Sequence, residues 1–382
     1  MAQKFLKIRG IDPLLFRDGR PFTADEGGLT ARSLPLPFPT TIAAFVRSQI
    51  GRRAGWDWSD INVLRRAHTI PVDAPLLQAN GAILLPAPID AMFAGESNIP
   101  VRLTPQETKK YRTDIPDGLW PVMPAAQDEV TAKASSHGSF WTRQAMMDWL
   151  EEKPMTEIPR FDGLPEEERI GIQINRKTRG AEESRLYAVN LRGFEEVRRD
   201  AGGIRAWNEY ALVARTNMPD EAGVESVGTL GGERRMTSME MVDDTPEIWP
   251  RCPSSLKERL GSAKRVRMIL ATPAHFAAGW KPAWIDSSGL GESNGPPGVA
   301  NVKLQLVGAV VNRRIPMSGW RMRQGENGPR AIKWLAPAGS VYFFIVESGD
   351  PAALWRDGWL QPMSDIEQDR RDGLGLALWG TW

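Results

Sequence analysis

Cysteine and histidine are nearly absent from this chain, with one Cys and three His in 382 residues. A lone Cys252 excludes an intrachain disulfide and fits a reducing compartment. His68, His137 and His275 lie far apart, in no HxH, HxxxH or CxxC arrangement, so no structural zinc site is expected. No apolar run approaches the roughly 20 residues of a membrane span. The opening MAQKFLKIRG alternates like a strand and has no apolar signal core, so a cytoplasmic protein with no membrane partner is expected. G-x-S-x-G occurs once, as GESNG at 291–295, where Pro296 and Pro297 bar the helix that must follow a nucleophile elbow, and G-x-x-x-x-G-K-[ST] is missing. The stretch GLGESNG at 289–295 is followed by Pro296 and Pro297, where a dinucleotide-binding helix would have to begin. Hydrolase, metal and dinucleotide chemistry are thus disfavoured, and no cofactor is expected.

Lysine is scarce as well: 12 Lys stand against 36 Arg, although the formal net charge is only +1. A global field that would draw in a polyanion is therefore missing. Any such binding must be local, and Arg is the side chain for it, because its planar fork pairs with phosphate and stacks on bases. Gly and Pro number 36 and 30, which implies a loop-rich globular fold. Residues 4–11 alternate as a strand, and Thr40 and Thr41 precede a helix with Ile42, Phe45, Val46 and Ile50 on one face. A hairpin is expected over 76–86 around Asn80-Gly81, and a helix over 141–150. Two strands, 170–174 and 184–189, flank the basic turn 176–180. The irregular stretch 243–262 is read as a junction. Strands then follow over 264–271, 302–311 and 341–346, with a segment at 331–335, a helix over 354–360 and a last strand at 376–379. Short strands with two helices per half suit an α+β architecture of two ferredoxin-like (RRM-like) domains with long loop insertions, 1–250 and 251–382.

Three segments carry candidate binding chemistry. In Leu230-Gly231-Gly232-Glu233-Arg234-Arg235, paired glycines can bring main-chain amides to an anion and two guanidiniums can clamp it. The same residues could equally form a Gly-Gly turn with solvated arginines. Near the C-terminus, Gly373 and Gly375 precede an apolar strand, with Arg370 and Arg371 beside them. The loop 12–22 contributes Arg17 and Arg20, and Arg32 follows it.

Taken together, DPLLFRDGRPF (12–22), PFPTTI (37–42), APLLQANGAILLPAPID (74–90), LGGERR (230–235), LATPAHFAAGW (270–280), PAGSVYFF (337–344) and GLGLALWGTW (373–382) resemble a known family in order and spacing. It is the family of third subunits of type III-B CRISPR (Cmr) effector complexes, within the RAMP superfamily. The resemblance implies a non-catalytic subunit that holds the 5′ handle of the CRISPR RNA. It also implies protein partners: a large polymerase-like subunit and the adjacent backbone RAMP subunit. The superfamily glycine loop then falls on Gly373, Gly375 and Gly380, its last interval one residue shorter than usual. The expected RNA-binding set is Arg17, Arg20, Arg32, Gly231, Gly232, Arg234, Arg235, Arg371, Gly373 and Gly375, gathered in one groove. The alternative is a RAMP endoribonuclease that uses a histidine, His137 or His275, as general base.

Overall fold

The computed structural model describes residues 2–19, 30–107, 115–124, 134–135, 138–200, 203–218, 223–285, 295–321 and 328–382. The chain is α+β, rich in strands and short of helices. The first large sheet comprises β1 (Ala2–Gly10), β2 (Val72–Ala79), β3 (Ala82–Pro86), β4 (Phe140–Thr142), β5 (Glu195–Asp200), β6 (Gly203–Met218), β7 (Val227–Thr229) and β8 (Met236–Val242). Its order is β7-β8-β1-β6-β2-β3-β4, with β5 paired to β6. The second comprises β9 (Arg265–Leu270), β10 (Val302–Val310), β11 (Val341–Gly349), β12 (Gln361–Pro362) and β13 (Leu376–Thr381), in the order β10-β11-β9-β13-β12. In each sheet four principal strands, numbered along the chain, lie side by side as 4-1-3-2: β8-β1-β6-β2 in the first and β13-β9-β11-β10 in the second.

Apolar residues on both faces explain why β3 and residues 210–214 of β6 read as nearly continuous hydrophobic runs. Successive side chains point to opposite faces. Leu6 and Ile8 of β1, Leu77 of β2 and Leu212 of β6 pack beneath α1 (Pro39–Arg53), against Ile42, Val46 and Ile50. Phe5, Leu76 and Val213 go to the other face and join a core shared with Val266, Met268, Phe343 and Trp379 of the second sheet. One continuous core therefore crosses the two halves.

Most expected elements form, with instructive shifts. The helix after residue 38 starts on Pro39, with Phe38 as its N-cap and no side-chain cap; the Thr40 hydroxyl instead faces Met317 Sδ at 3.6 Å. Pro at the first helical position has no amide to leave unsatisfied, so Thr40 and Thr41 are not needed as caps. Trp141 belongs to β4, and Thr142 caps α3 (Arg143–Leu150) by accepting from the Ala145 amide. The expected irregular stretch 243–262 contains α4 (Ser254–Gly261), whose Leu256 and Leu260 are buried. The helix expected at 354–360 spans only Ala352–Arg356. The polar helix α2 (Ile61–Thr69) buries only Ala67, which is why no apolar stripe announced it.

Three buried guanidiniums tie the halves together. Arg47 of α1 donates to the Ile70 carbonyl at 2.7 and 3.0 Å, pairs with Asp372 at 2.5 Å and donates to the Arg371 carbonyl at 3.0 Å. Arg215 of β6 pairs with Asp73 at 2.6 Å and donates to the Leu360 carbonyl at 2.8 Å. Arg267 of β9 pairs with Asp90 at 2.7 Å and also reaches the Trp149 carbonyl. The Trp149 indole donates to the other Asp90 oxygen at 2.9 Å. Burial pushes the Asp90 carboxyl above its ordinary value, with Arg267 pulling the other way.

Removing one partner of such a pair strands a buried charge. Arg267→Met is expected to lose about 3–5 kcal/mol in urea unfolding, and Arg267→Met with Asp90→Leu to recover much of that; a single variant as stable as the parent would contradict the seam. His68 lies on the exposed side of α2, yet partial desolvation of its ring and then the Arg47 charge hold it below the ordinary imidazole value. Because the unfolded chain takes up that proton first, stability from neutral His68 is complete above roughly pH 6.5 and drains away as the pH falls below it. His68→Gln is expected to show a shallower stability loss than the parent between about pH 7 and 5; equal slopes would refute the assignment.

Candidate functional site

Both glycine segments occupy the same topological place, leading into the fourth principal strand of their sheets: 230–235 enters β8 and 373–375 enters β13. The structure treats them in opposite ways.

The first is open. Leu230 is buried beneath α1, and its amide donates to the Arg235 carbonyl at 3.1 Å, closing a tight loop. Gly231 stands exposed at φ +77°, and a Cβ there would lie 2.4 Å from the Leu15 carbonyl oxygen. No other residue fits this approach without displacing main chain. The Gly232 amide donates to the same Leu15 oxygen at 2.8 Å. Glu233 and Arg234 follow with φ of +59° and +52°, so the guanidinium of Arg234 leaves the loop from left-handed backbone into solvent. Arg235 is mostly covered and pairs with Glu233 at 2.7 Å.

A cavity of about 180 Å³ opens beside this loop, lined by Arg17, Asp18, Gly19, Gly231, Gly232 and Ser318 among others. Its wall also includes Thr41 in the first turn of α1, where the helix dipole is positive. Arg17 reaches the cavity because its main chain bridges Ser33, whose hydroxyl accepts from the Phe16 amide at 2.8 Å. Arg32 lies on the same paired backbone, its carbonyl accepting from the Asp18 amide at 3.1 Å, and its side chain is exposed. Arg20 lies outside the described residues. Arg17, Gly231 and Gly232 thus converge on one mouth, with Arg32 and Arg234 on the segments that form it.

Gly373 and Gly375 do not join them. Both are buried, at φ +79° and +90°. The Gly373 amide donates to the Arg370 carbonyl at 3.0 Å. The Gly375 amide donates to the Pro273 carbonyl at 2.9 Å and to Thr272 Oγ1 at 3.1 Å. The Thr272 hydroxyl in turn donates to the Gly373 carbonyl at 2.8 Å. A Cβ on Gly373 would lie 2.6 Å from the Val72 oxygen and 2.8 Å from the Ala74 nitrogen, both main-chain atoms of the first sheet. Arg371 pairs with Glu367 at 2.5 Å and gives its carbonyl to Arg47. The expectation of a single groove lined by both glycine loops is therefore corrected. The C-terminal loop is a joint between halves, with these amides already bonded inside the protein. Sequence spacing could not separate the two, because glycines that admit a ligand and glycines that admit another strand satisfy the same steric need.

The joint still bears on the cavity. Leu374 packs with Met317, Leu335 and Phe38, and Phe38 forms part of the cavity wall. Arg192, which the sequence reading missed, acts from the other side: it donates to the carbonyls of Leu34 at 3.0 Å and Ser33 at 3.2 Å, pinning the strand that carries Arg32. Of the histidines, His68 sits on α2 and His137 is outside the described residues. His275 Nδ1 lies 2.6 Å from Asp369, whose other oxygen holds Lys333 at 2.5 Å, and this group does not line the cavity. Among the described residues no cluster of His, Cys, Asp or Glu could hold a metal ion, and no helix is long and apolar enough to cross a membrane.

The two loops predict different phenotypes. Gly373→Ala, forced into strained backbone against main chain, is expected to lose roughly 2–4 kcal/mol of stability. Arg234→Ala should leave thermal unfolding unchanged. A Gly373→Ala protein as stable as the parent would contradict the joint.

Comparison with known proteins gives one match over nearly the whole length: the family model described as CRISPR-associated protein (Cas_Cmr3) covers residues 6–382. No curated protein matches. Two structures of the type III-B Cmr-beta complex bound to cognate target RNA, one of them also holding AMPPnP, contain a similar chain. The likeness is 16% and 15% identity over 89% of this chain and 86% of each of those, with TM-scores of 0.48 and 0.46. A chain of the Csm3–Csm4 subcomplex of a type III-A interference complex is similar at 8% identity over 91% of this chain and 94% of that one, with a TM-score of 0.36. These structural likenesses are distant.

Proposed function

This chain belongs to the Cas_Cmr3 family of CRISPR-associated proteins, and on that footing we propose that it is a non-catalytic RNA-binding subunit of a type III-B effector. In this reading it holds the 5′ handle of the CRISPR RNA and bridges the large polymerase-like subunit to the adjacent backbone RAMP subunit, in the cytoplasm. The observation that carries the RNA contact is the exposed loop Gly231–Arg235 opening onto the same cavity as Arg17. Phosphate would approach the mouth near the first turn of α1, met by Arg17, Arg32 and Arg234, with Arg20 continuing the same segment. A single strand leaves its bases splayed for stacking or edge contacts outside the cavity. Gly373, Gly375 and Arg371 serve this site indirectly, by seating Phe38 and α1.

Two units, 1–250 and 251–382, are the proposed domains. The shared 4-1-3-2 strand order supports reading both as ferredoxin-like, each having lost regular helix from one crossover. In the first unit the described connection from β6 to β8 has the glycine loop in place of a helix; in the second, the described connection from β9 to β10 has none.

Each phosphate neutralised on a single strand contributes about 0.7 to the slope of log K against log salt. Arg234→Ala and Arg32→Ala are each expected to weaken binding of guide RNA and to flatten that slope by about 0.7, and Arg235→Ala, already paired to Glu233, to change it less. Unchanged slopes in both exposed variants would remove the cavity mouth from the RNA path. The endoribonuclease reading would rest on His275 with its Asp369 partner. Metal-independent cleavage of repeat RNA that disappears in His275→Ala would establish it in place of the binder.

A further inference from the structure

A two-stranded arm stands on the first half, formed by Glu166–Ile174 and Ala181–Arg192 in antiparallel register. Its root is fixed: Val189 and Leu191 pack with Leu15 and Ala31, and Leu14 exchanges main-chain hydrogen bonds with Arg192 at 2.8 and 2.9 Å. Its turn is specified too, with Asn175 Oδ1 accepting from the amides of Lys177 and Thr178 at 2.9 and 3.2 Å. Yet one face is aliphatic and open to solvent. Ile170, Ile172 and Ile174 are 65%, 53% and 59% exposed, and Leu186, opposite Ile172, is 53% exposed. On the other face the Tyr187 ring covers Gly171.

The outer edge of Glu166–Ile174 pairs with no described strand. A nine-residue open edge carrying three exposed isoleucines is a template for strand pairing, of the kind soluble proteins normally blunt. Charge tells what kind of polymer fits. Residues 166–192 carry six Arg or Lys against five Glu, so the arm as a whole has no pull on a polyanion. Its open face is aliphatic, whereas a single-stranded nucleic acid asks for aromatic or guanidinium platforms. The charges are also segregated. Arg176, Lys177 and Arg179 crowd the tip, and Glu168 stands nearer the root, none of the four paired with a described residue, while Glu167 is already taken by Arg169 at 2.5 Å.

We infer that this arm docks a neighbouring protein subunit, which adds an extended segment along the free edge of Glu166–Ile174. The added segment is apolar at alternate positions to cover Ile170, Ile172 and Ile174. It is acidic where it meets Arg176, Lys177 and Arg179, and basic or neutral beside Glu168. The assignment names a surface for the protein contact and does not depend on the RNA reading of the Gly231 cavity.

The test uses the assembled effector complex with a photoreactive phenylalanine analogue at position 172, and separately the variants Ile170→Asp with Ile172→Asp and Arg176→Glu with Lys177→Glu. Crosslinks from position 172 to another protein subunit are expected. Each double variant should lower the yield of that subunit co-purified with the chain at least tenfold, while far-ultraviolet circular dichroism and thermal midpoint stay unchanged. Crosslinks only to RNA, only to a second copy of this chain, or to nothing would overturn the proposal, as would full co-purification in both variants. Crosslinking of RNA to position 234 in the same particles reports separately on the cavity, so the two readings can fail independently.

Discussion

Burial of arginine at the seam is the constraint on which the rest of the molecule depends. Arg47, Arg215 and Arg267 each lie at 7% exposure or less, and each ends on a carboxylate and a main-chain carbonyl across or along the boundary between the sheets. Such groups are expensive to dehydrate, so they fix geometry more than they add stability. Their orientation is specific: a guanidinium fork satisfies a carboxylate and a carbonyl only at one relative placement of the two halves. With that placement set, the loop bearing Gly373 seats on the edge of β2, and Leu374 carries the contact on to Phe38 at the start of α1. The open cavity is thus built from both halves although its candidate ligands belong to the first.

Arginine excess over lysine takes on a divided meaning in this light. Some of the 36 arginines are structural, such as Arg47, whose planar fork holds two carbonyls and a carboxylate in fixed directions that a compact ammonium does not match. Others, such as Arg32 and Arg234, face solvent beside unusual backbone. Near-zero net charge is compatible with the proposed role, in which affinity for RNA would be local and the rest of the surface would be left for protein contacts.

How much of this was legible beforehand follows from the physics of each feature. The hairpin at Asn80-Gly81, β1, the four principal strands of the second sheet and α1 were readable because local chemistry and burial agree there, and both turn residues adopt positive φ, as that dipeptide favours; β5 to β8, over 195–242, were not anticipated. The polar helix α2 was hidden because its residues do not report burial. The fates of the glycine pairs were hidden for a deeper reason. Gly231 and Gly373 both answer an approach of main chain closer than 3 Å, and nothing in the adjacent sequence says whether the space beyond is solvent or another strand. Arg371 looked like a phosphate ligand beside Arg370, but Glu367 one helical turn earlier already marked a partner for it.

Amide hydrogen exchange, followed on the purified protein with and without saturating guide RNA, tests the central distinction between the two glycine loops most directly. The account predicts that the amides of Gly231 and Glu233, on the exposed side of the first loop, exchange fast in the free protein and slow down when RNA is added, while those at 373–376 are already protected and do not change. Fast exchange at 373–376 that RNA suppresses, with 230–235 indifferent to it, would contradict the account.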